Sequence, residues 1–232
     1  MFDFSGTLMR AEPVESWLAA ALEDTGISLD QAEFGRYAAR LAAVGAQPGG
    51  RSPLEVPGEL REVWASRDVS AAEHRAAYLG LAHQVPLPVP ELYEALYARH
   101  MEPAAWQPYP DAARVLAALR ERGVPVAVVS NIGWDLRPVF RAHGLDPWVS
   151  AYTLSFEHGA QKPDPRLFRA ACDALGTEPR DVLMVGDDAR ADGGAARIGC
   201  AVRLVDHLPV EERPEGLLPV LGEAEAGSAR PT

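Results

Sequence analysis

Lysine is almost absent from this chain of 232 residues, because the 22 basic residues comprise one lysine, Lys162, and otherwise arginine. Cysteine is equally scarce: Cys172 and Cys200 cannot form a disulfide scaffold and are expected to be small buried hydrophobic residues. No stretch approaches the roughly 18 apolar residues of a membrane span, and there is no basic region followed by an apolar one as in a secretory signal. We therefore expect a cytoplasmic protein with no membrane partner.

Positive charge is in deficit, since 33 acidic residues against 22 basic ones give a net charge of −11. A broad nucleic-acid-binding surface is therefore not expected, and a phosphorylated ligand would need a metal ion or locally focused positive charge. Hydrophobic residues at 47% and charged residues at 24% are ordinary for a globular chain, here long enough for a core domain with an insertion.

The chain begins on what resembles the end of a strand. Met1-Phe2-Asp3-Phe4 is shorter than the five or six residues that are typical of buried strands. We therefore hypothesise that the natural reading frame begins upstream of Met1, and an upstream frame without apolar codons would contradict this.

Helical periodicity dominates the stretch from about residue 14 to residue 99. Apolar residues recur at helical spacing from Val14 onwards, and Gly26 is a stop signal. Helices are predicted at about 14–25, 30–44, 70–83 and 90–100, with a loop rich in glycine and proline at 45–58. This part of the chain therefore predicts an all-helical insertion.

A different pattern begins after Pro110, where short apolar runs alternate with helical stretches. Strands are predicted at about 124–129, 151–154, 181–185 and 201–205. Helices are predicted at about 111–119, 139–143, 165–175 and 190–198, with Asp111 and Asp164 as N-caps. Strands that alternate with helices indicate right-handed βαβ units and a parallel sheet.

The predicted fold class is α/β, a Rossmann-like doubly wound parallel sheet core with an inserted all-helical domain. We place the core at residues 1–10 and 106–222, the insertion at 11–105 and a disordered tail at 223–232. In such open sheets, ligands bind at the carboxyl ends of the strands, so functional residues should directly follow the apolar runs.

Four short polar segments lie at those strand ends: Asp3-Phe4-Ser5-Gly6-Thr7, Ser130-Asn131, Lys162-Pro163, and Gly186-Asp187-Asp188 with Asp192. Together they resemble the motifs of the haloacid dehalogenase superfamily. That family has Asp-x-Asp-Gly-Thr after its first strand, Ser or Thr after the second, and Lys before and Gly-Asp after the fourth. The resemblance extends from Phe2 to about Val205, and its specificity lies in the combination of segments.

The residue types at these positions suit phosphoryl transfer. Asp3 can attack phosphorus and form an aspartyl-phosphate, and Gly6 permits a sharp turn that presents amides to phosphate oxygens. Ser130 can donate a hydrogen bond to a phosphoryl oxygen, and Lys162 can neutralise charge on the nucleophile and the transferred group. The resemblance implies a phosphate site that comprises Gly6, Thr7, Ser130, Asn131 and Lys162.

The resemblance also implies a Mg²⁺ cofactor. Its ligands would be an Asp3 carboxylate oxygen, the Ser5 carbonyl, Asp187 and a second acid, either Asp188 or Asp192. An oxygen-rich site without thiols suits magnesium. The ion would also let an anionic nucleophile approach an anionic phosphate.

Each segment also has a purely structural interpretation. Asp3 could open a turn, and Ser130 could belong to the turn that ends a strand. Lys162 could lie on a stiff surface loop. Asp188 and Asp192 could be first-turn acids that complement a helix dipole.

Ser5 departs from the family pattern. The phosphatases of the superfamily carry, two residues after the nucleophile, an aspartate that protonates the leaving group, and a serine hydroxyl is far too weak an acid to replace it. General acid–base assistance is worth about 10²–10⁴-fold. We therefore expect a phosphatase that is slow on alkyl esters and less impaired on aryl or acyl phosphates.

Two other functions remain open. A 2-haloacid dehalogenase needs no metal, but the carboxylates of Asp187, Asp188 and Asp192 would repel its halocarboxylate substrate. A catalytically impaired relative that binds a phosphorylated ligand or a protein partner would have no need of Asp3 and Lys162. Phosphonate hydrolysis through a lysine of the insertion is disfavoured, because the insertion contains no lysine.

The insertion at 11–105 resembles the helical cap of one large subgroup of the family. Such a lid closes over the strand ends, excludes water and selects the substrate. We expect a small phosphorylated metabolite as substrate, because a phosphoprotein would not fit beneath a closed lid. The sequence leaves monomer and homodimer equally open.

Overall fold

The computed structural model describes residues 1–223, so the predicted tail lies outside this range apart from Glu223. The strands are β1 (Met9–Ala11), β2 (Trp106–Pro108), β3 (Ala127–Ser130), β4 (Ala151–Leu154), β5 (Leu183–Gly186) and β6 (Ala201–Leu204). The helices are α1 (Val14–Thr25), α2 (Gln31–Ala43), α3 (Arg61–Ala65), α4 (Ala71–Ala82), α5 (Glu91–Arg99), α6 (Ala112–Glu121), α7 (Arg137–Ala142), α8 (Ser155–His158) and α9 (Pro165–Leu175). Short 3-10 helices lie at Gly58–Leu60, Pro103–Ala105, Asp146–Trp148, Pro179–Asp181, Asp192–Ile198 and Val210–Glu212.

The first residues of the chain form the middle of the sheet. β3 pairs in parallel with β4, and β5 pairs in parallel with β6. Phe2 joins the two pairs through parallel bridges to Val128 of β3 and Val185 of β5, and the Asp3 amide donates to the Val185 carbonyl at 2.9 Å. The order is therefore β4, β3, the segment at residues 1–3, β5 and β6, which confirms the predicted parallel α/β core.

Both faces of this sheet are buried. Phe2 and Val128 face one cluster, to which α6 and α7 contribute Leu116 and Phe140. Val129 faces the opposite cluster, to which α9 contributes apolar side chains. Neighbouring residues of one strand point to opposite faces, so a strand that is covered on both sides must be apolar throughout. This explains the continuous apolar runs by which the strands were predicted.

Two of the predicted strands begin later in the chain than expected. The run at 124–129 is a strand only from Ala127, because Pro125 lacks the N–H group that a ladder needs. The run at 181–185 is a strand only from Leu183, because the 3-10 helix Pro179–Asp181 precedes it. The carboxyl ends of both strands, which matter for the site, lie within one residue of the predicted ends.

Helix starts were predicted with mixed success. Asp164 caps α9 as predicted, since its carboxylate accepts from a main-chain amide of the first turn. The prediction for Asp111 was wrong, because its carboxylate instead accepts from the amides of Leu217 and Leu218 at 2.6 and 3.1 Å. The α-helix predicted at 190–198 is the 3-10 helix Asp192–Ile198, in which two consecutive glycines disfavour a longer helix.

The insertion is helical, as predicted, and has an apolar core of its own. Trp17, Leu41 and Leu96 are buried together with other apolar residues of α1, α2 and α5. The indole of Trp17 also donates to the Leu96 carbonyl at 2.9 Å. The helix α3 was not predicted, since its five residues are too short to show a period.

A two-stranded ribbon lies where the chain passes between the sheet core and the helical insertion. β1 and β2 pair antiparallel, with Met9 opposite Pro108 and Ala11 opposite Trp106. The predicted domain boundaries fall at this ribbon and stay a prediction. The ribbon itself was not predicted, because three-residue strands show no usable alternation.

The structure agrees with the sequence on its two cysteines and on its lack of long apolar runs. Cys172 and Cys200 are both buried, and neither forms a disulfide bond. Among the helices of residues 1–223, none has the length and apolar character needed to cross a membrane.

Candidate active site

Asp3 and Lys162 form a buried ion pair at the carboxyl edge of the sheet. Lys162 Nζ donates to Asp3 Oδ1 and to Asp192 Oδ1, at 2.6 Å in both cases. Asp3 is 6% exposed and Lys162 4% exposed, so water contributes little screening and the charges interact strongly. The only lysine of the chain therefore bridges two carboxylates that reach this edge from different parts of the sequence.

Asn131 fixes the main chain of Lys162. Its Nδ2 donates to the Lys162 carbonyl at 3.0 Å, and its Oδ1 accepts from the Lys162 amide at 2.6 Å. Because Asn131 directly follows β3, the end of that strand holds the loop that carries the lysine. The phosphate-binding role predicted for Asn131 stays a prediction, and its side chain contacts the lysine backbone.

Three carboxylates meet around this pair. Oxygens of Asp3, Asp187 and Asp192 lie within 4.8 Å of one another. Asp187 directly follows β5, and Asp192 is the first residue of a 3-10 helix and is 1% exposed. Asp188 is exposed and lies outside this cluster, since its Oδ1 accepts from two main-chain amides of the next turn at 2.7 and 2.8 Å. Of the two acids left open by the sequence, Asp192 is the one within the cluster.

The electrostatics of the cluster favour a bound cation. Burial raises the pKa of Asp3 well above its usual value; Lys162 opposes this rise, while Asp192 and Asp187 add to it. Burial opposes the charge of Lys162 as well, but Asp192 and Asp3 raise its pKa above the ordinary value. One ammonium group thus faces three carboxylates. The donors are all oxygens, with no thiolate among them, so the cluster fits the coordination preference of Mg²⁺.

His207 is a site residue that the sequence reasoning missed. Its Nδ1 contacts Asp187 Oδ2, and the Thr7 hydroxyl donates to Asp187 Oδ1 at 3.3 Å. Burial acts to raise the pKa of Asp187, but the hydrogen bond and charge of His207 lower it below the usual value. His207 lies three residues beyond the end of β6. The rule that functional residues follow strands, applied to this last strand, would have found it.

The turn that follows Asp3 has three unused amides. Gly6 has a φ of 85°, and a side chain there would collide with Asp187 Oδ2. The unused amides, which donate no hydrogen bond to any residue of the described range 1–223, are those of Phe4, Ser5 and Thr7. Successive free amides beside a carboxylate form a concave site in which an anion can be bound. Sequence reasoning predicted the glycine turn, and the structure adds which amides it leaves free.

The two serines of the predicted site differ in their surroundings. Ser130 ends β3 and is 2% exposed, and its hydroxyl forms no hydrogen bond within residues 1–223. Ser5 lies beneath the glycine-rich loop of the insertion, where a Cβ added to Gly49 would lie 3.0 Å from Ser5 Oγ. The absence of a side chain at Gly49 thus allows the insertion to approach the position of the missing acid.

The helical insertion is docked on the loop that carries the lysine. Gln161, which immediately precedes Lys162, donates to the Ala65 carbonyl at 2.7 Å and accepts from the Asp68 amide at 3.2 Å. The hydroxyl of Ser155 donates to the Asp68 carbonyl. The insertion therefore covers the carboxyl edge of the sheet, as a lid would.

The predicted site residues gather at this edge, with Asp188 on its exposed rim. Their assignments to catalysis, phosphate binding and metal binding stay predictions. A second residue that was missed, Arg213, contacts the turn after Asp3 through the Gly6 carbonyl.

Comparison with known proteins identifies the class. The family model of haloacid dehalogenase-like hydrolases matches residues 1–199. A phosphoserine phosphatase from Thermus thermophilus is 32% identical over 93% of this chain and 91% of its own. The (S)-2-haloacid dehalogenase 4A of Burkholderia cepacia is 39% identical over 93 residues, 39% of this chain and 40% of its own. The putative HAD-hydrolase YfnB from Bacillus subtilis has the same fold, with a TM-score of 0.64 over 95% of this chain and 96% of its own at 17% identity.

Fold and comparisons together define a hydrolase that has a parallel α/β core and a helical insertion. The chain belongs to the haloacid dehalogenase-like hydrolase family, which confirms the resemblance drawn from its four motifs.

Proposed function

We propose that this protein is a Mg²⁺-dependent phosphatase that acts on a small phosphorylated metabolite, with Asp3 as its nucleophile. The observation that carries the proposal is the buried Asp3–Lys162 pair with Asp187 and Asp192 beside it. Such a cluster offers one nucleophilic carboxylate, one fixed positive charge and further oxygen ligands in a single place. A purely structural ion pair would need neither the extra acids nor the free amides next to Asp3.

The chemistry has two steps. An Asp3 oxygen forms a bond to phosphorus while the bond to the leaving oxygen breaks, and the leaving oxygen keeps the electron pair. That oxygen takes its proton from solvent, because Ser5 is not an acid of useful strength. In the second step a water oxygen attacks phosphorus, the bond to Asp3 breaks, and the surplus proton passes to solvent. Inorganic phosphate then leaves, and the carboxylate is restored.

Donors around Asp3 stabilise the charge that moves during both steps. Lys162 offsets charge on the carboxylate, while the amides of Phe4 and Ser5 and the hydroxyl of Ser130 donate to phosphoryl oxygens. These groups are fixed by the turn and the strand end, so they need no reorganisation when substrate binds.

A Mg²⁺ ion, when bound, neutralises the negative charge that the nucleophile and the phosphate bring together. Asp3, the Ser5 carbonyl, Asp187 and Asp192 would hold it.

The proposed substrate is small because the insertion lies directly over the site. The approach of Gly49 to Ser5 and the docking of Gln161 on the insertion bring the insertion against the site, which favours a small substrate over a folded protein. The Thermus thermophilus relative, named as a phosphoserine phosphatase, supports a small phosphate ester. The cytoplasmic location and the choice between monomer and homodimer remain predictions from the sequence.

A 2-haloacid dehalogenase is the second candidate. Two observations favour it: a dehalogenase relative at 39% identity over 93 residues, and the absence of a carboxylate at Ser5. The acidic cluster opposes it, because a halocarboxylate would approach three carboxylates and one lysine. We therefore rank the dehalogenase function below phosphate-ester hydrolysis.

Release of phosphate from p-nitrophenyl phosphate and from acetyl phosphate tests the proposal, with Mg²⁺ and with EDTA. The expected result is turnover that requires Mg²⁺ and disappears in Asp3→Asn, whose side chain has nearly the same shape. Chloride release from 2-chloropropionate in EDTA would contradict the phosphatase assignment and support a 2-haloacid dehalogenase. Failure of both assays, with no retention of beryllium fluoride, would indicate an impaired relative that only binds a partner or ligand.

A further inference from the structure

The segment at residues 206–218 is built into the core beside the nucleophile turn, and we call it the C-terminal strap. The hydroxyl of Tyr109 donates to the Leu208 carbonyl at 2.6 Å. The carboxylate of Asp111 accepts from the amide of Leu217, a residue with no exposed surface. The strap is therefore fixed at two points that do not touch the proposed site.

Arg213 of the C-terminal strap is the residue that touches the nucleophile turn. Its Nη1 donates to the Gly6 carbonyl at 2.7 Å and to the Asp206 carbonyl at 2.9 Å. Its Nη2 donates to the Thr7 carbonyl, and its guanidinium carbon lies 3.3 Å from the centre of the Tyr109 ring. One planar group thus ties two successive carbonyls of the turn to the strap.

The burial of this charge is costly. Arg213 is 4% exposed, and its hydrogen-bond partners within residues 1–223 are carbonyl oxygens rather than a carboxylate. Burial lowers the pKa of Arg213, yet a guanidinium stays protonated in proteins. The charges of Asp111 and Asp187 favour the guanidinium, but its hydrogen bonds go to carbonyl dipoles. The contacts with the turn are therefore part of what keeps Arg213 in place, and they in turn restrain the turn.

The restraint acts on the part of the chain that would bind the phosphoryl group. The peptide unit is planar, so fixing the Gly6 carbonyl fixes the orientation of the Thr7 amide, which is one of the unused amides of the turn. The preceding residues of the same turn supply Asp3 and the free amides of Phe4 and Ser5. A misplacement of about 1 Å in such a group can cost about 10²-fold in rate.

We propose that Arg213 is a positioning residue that holds the turn after Asp3 in the conformation that binds the phosphoryl group. Its effect on rate rests on the proposed phosphatase function, whereas its effect on the turn does not. Arg213 lies outside the match to the family at residues 1–199, so the proposal concerns this chain and not the shared motifs.

Two substitutions and a matched control test this role. Arg213→Lys keeps the charge but loses the planar fork, and Arg213→Ala removes both. Asp111→Ala loosens the strap at Leu217 and removes a carboxylate whose charge favours that of Arg213, but it leaves the hydrogen bonds from Arg213 to the turn in place. For each variant, melting temperature, kcat and KM on acetyl phosphate, and amide hydrogen exchange in residues 2–9 would be measured.

We expect Arg213→Lys to lose on the order of 10²-fold in kcat and to show faster amide exchange in residues 2–9. Asp111→Ala should lower the melting temperature by as much as Arg213→Lys does, but it should keep the kcat of the wild type. Guanidinium at a concentration below denaturation should restore part of the kcat of Arg213→Ala, and urea at the same concentration should not. Equal kcat losses in Arg213→Lys and Asp111→Ala, or unchanged exchange in the turn, would overturn the proposal. If the wild-type protein were inactive, the proposed phosphatase function would be rejected. The comparison of amide exchange between the variants would still decide whether Arg213 positions the turn.

Discussion

Lys162 Nζ lies 2.6 Å from Asp3 Oδ1, and the same atom lies 2.6 Å from Asp192 Oδ1. Both contacts are buried, so the ammonium group cannot move towards water without losing two partners. Lys162 is consequently a fixed point charge, set between the proposed nucleophile and the acid that is deepest in the cluster. The single lysine of a chain that otherwise uses arginine thus lies where one compact cation contacts two buried carboxylates.

Lys162→Arg should therefore be damaging although it preserves the charge. The guanidinium is larger and planar, and it cannot contact two carboxylates from the volume of one ammonium group. We expect a loss on the order of 10²–10³-fold in kcat, the range for removal of one electrostatic donor. The matched exchange Arg166→Lys, at an exposed residue paired with Asp164, should leave kcat unchanged. A Lys162→Arg rate close to that of wild type would show that the lysine is structural.

Ser5→Asp should restore the missing acid. If proton transfer to the leaving group limits the rate, kcat on an alkyl phosphate should rise by about 10²-fold or more, with little change on p-nitrophenyl phosphate. Ser5→Asn is the control, because it has the same size without an acidic proton and meets the same contact with Gly49. An equal response to both substitutions would mean that the insertion, rather than acidity, governs this position.

The fold was largely predictable because burial on both faces leaves a direct trace in the sequence. The strand at Ala127 and the helix that Asp164 caps follow from local composition and capping chemistry. The boundaries that were wrong depended on partners far away in the chain. Asp111 has a typical capping position, yet its carboxylate binds amides more than 100 residues further on. No local pattern encodes such a contact.

In the candidate site, too, residues at the ends of predicted strands were found, and residues brought in by distant loops were missed. Asp3, Lys162 and Asp187 were found because the ends of parallel strands converge at one edge of the sheet. Arg213 and the contact between Gly49 and Ser5 were missed, because both arise when distant loops pack against that edge. Spacing alone left Asp188 and Asp192 as candidates for the second acid, and the fold brings Asp192 into the cluster.

Asp192 and Asp188 should differ in their effect on metal dependence. The carboxylate of Asp192 belongs to the cluster, contacts Lys162 and accepts from the Asp188 amide at 3.0 Å, whereas the Asp188 side chain caps an exposed turn. Asp192→Asn should raise the Mg²⁺ concentration for half-maximal activity by about 10–100-fold, and Asp188→Asn should leave it close to wild type. Titration of turnover with Mg²⁺ measures both. The reverse order would assign the ligand to Asp188.

Acid sensitivity should arise from His74 of the helical insertion. His74 is 2% exposed, its Nδ1 lies 2.9 Å from the Tyr97 hydroxyl, and its ring stacks on His100. Burial, with a smaller effect of Arg67, lowers the pKa of His74 to about 3, against about 6.5 in the unfolded chain. Below that unfolded value, the unfolded chain binds a proton that the folded chain does not. Stability is therefore fully present above about pH 6.5 and falls as the pH decreases towards 3, by about 1.4 kcal/mol per pH unit for this group.

His74→Gln should consequently flatten the dependence of stability on pH, even though it also lowers stability at neutral pH. The free energy of unfolding in urea, measured from about pH 7 to about pH 5, gives the slope for each variant. His83→Gln is the control, because it makes the same exchange at an exposed histidine at the end of the same helix and so reports what the exchange itself does to the slope. His100 is buried against His74, and burial also lowers its pKa, so part of the slope should survive in His74→Gln. A slope equal to that of wild type would remove His74 as a source of the acid sensitivity.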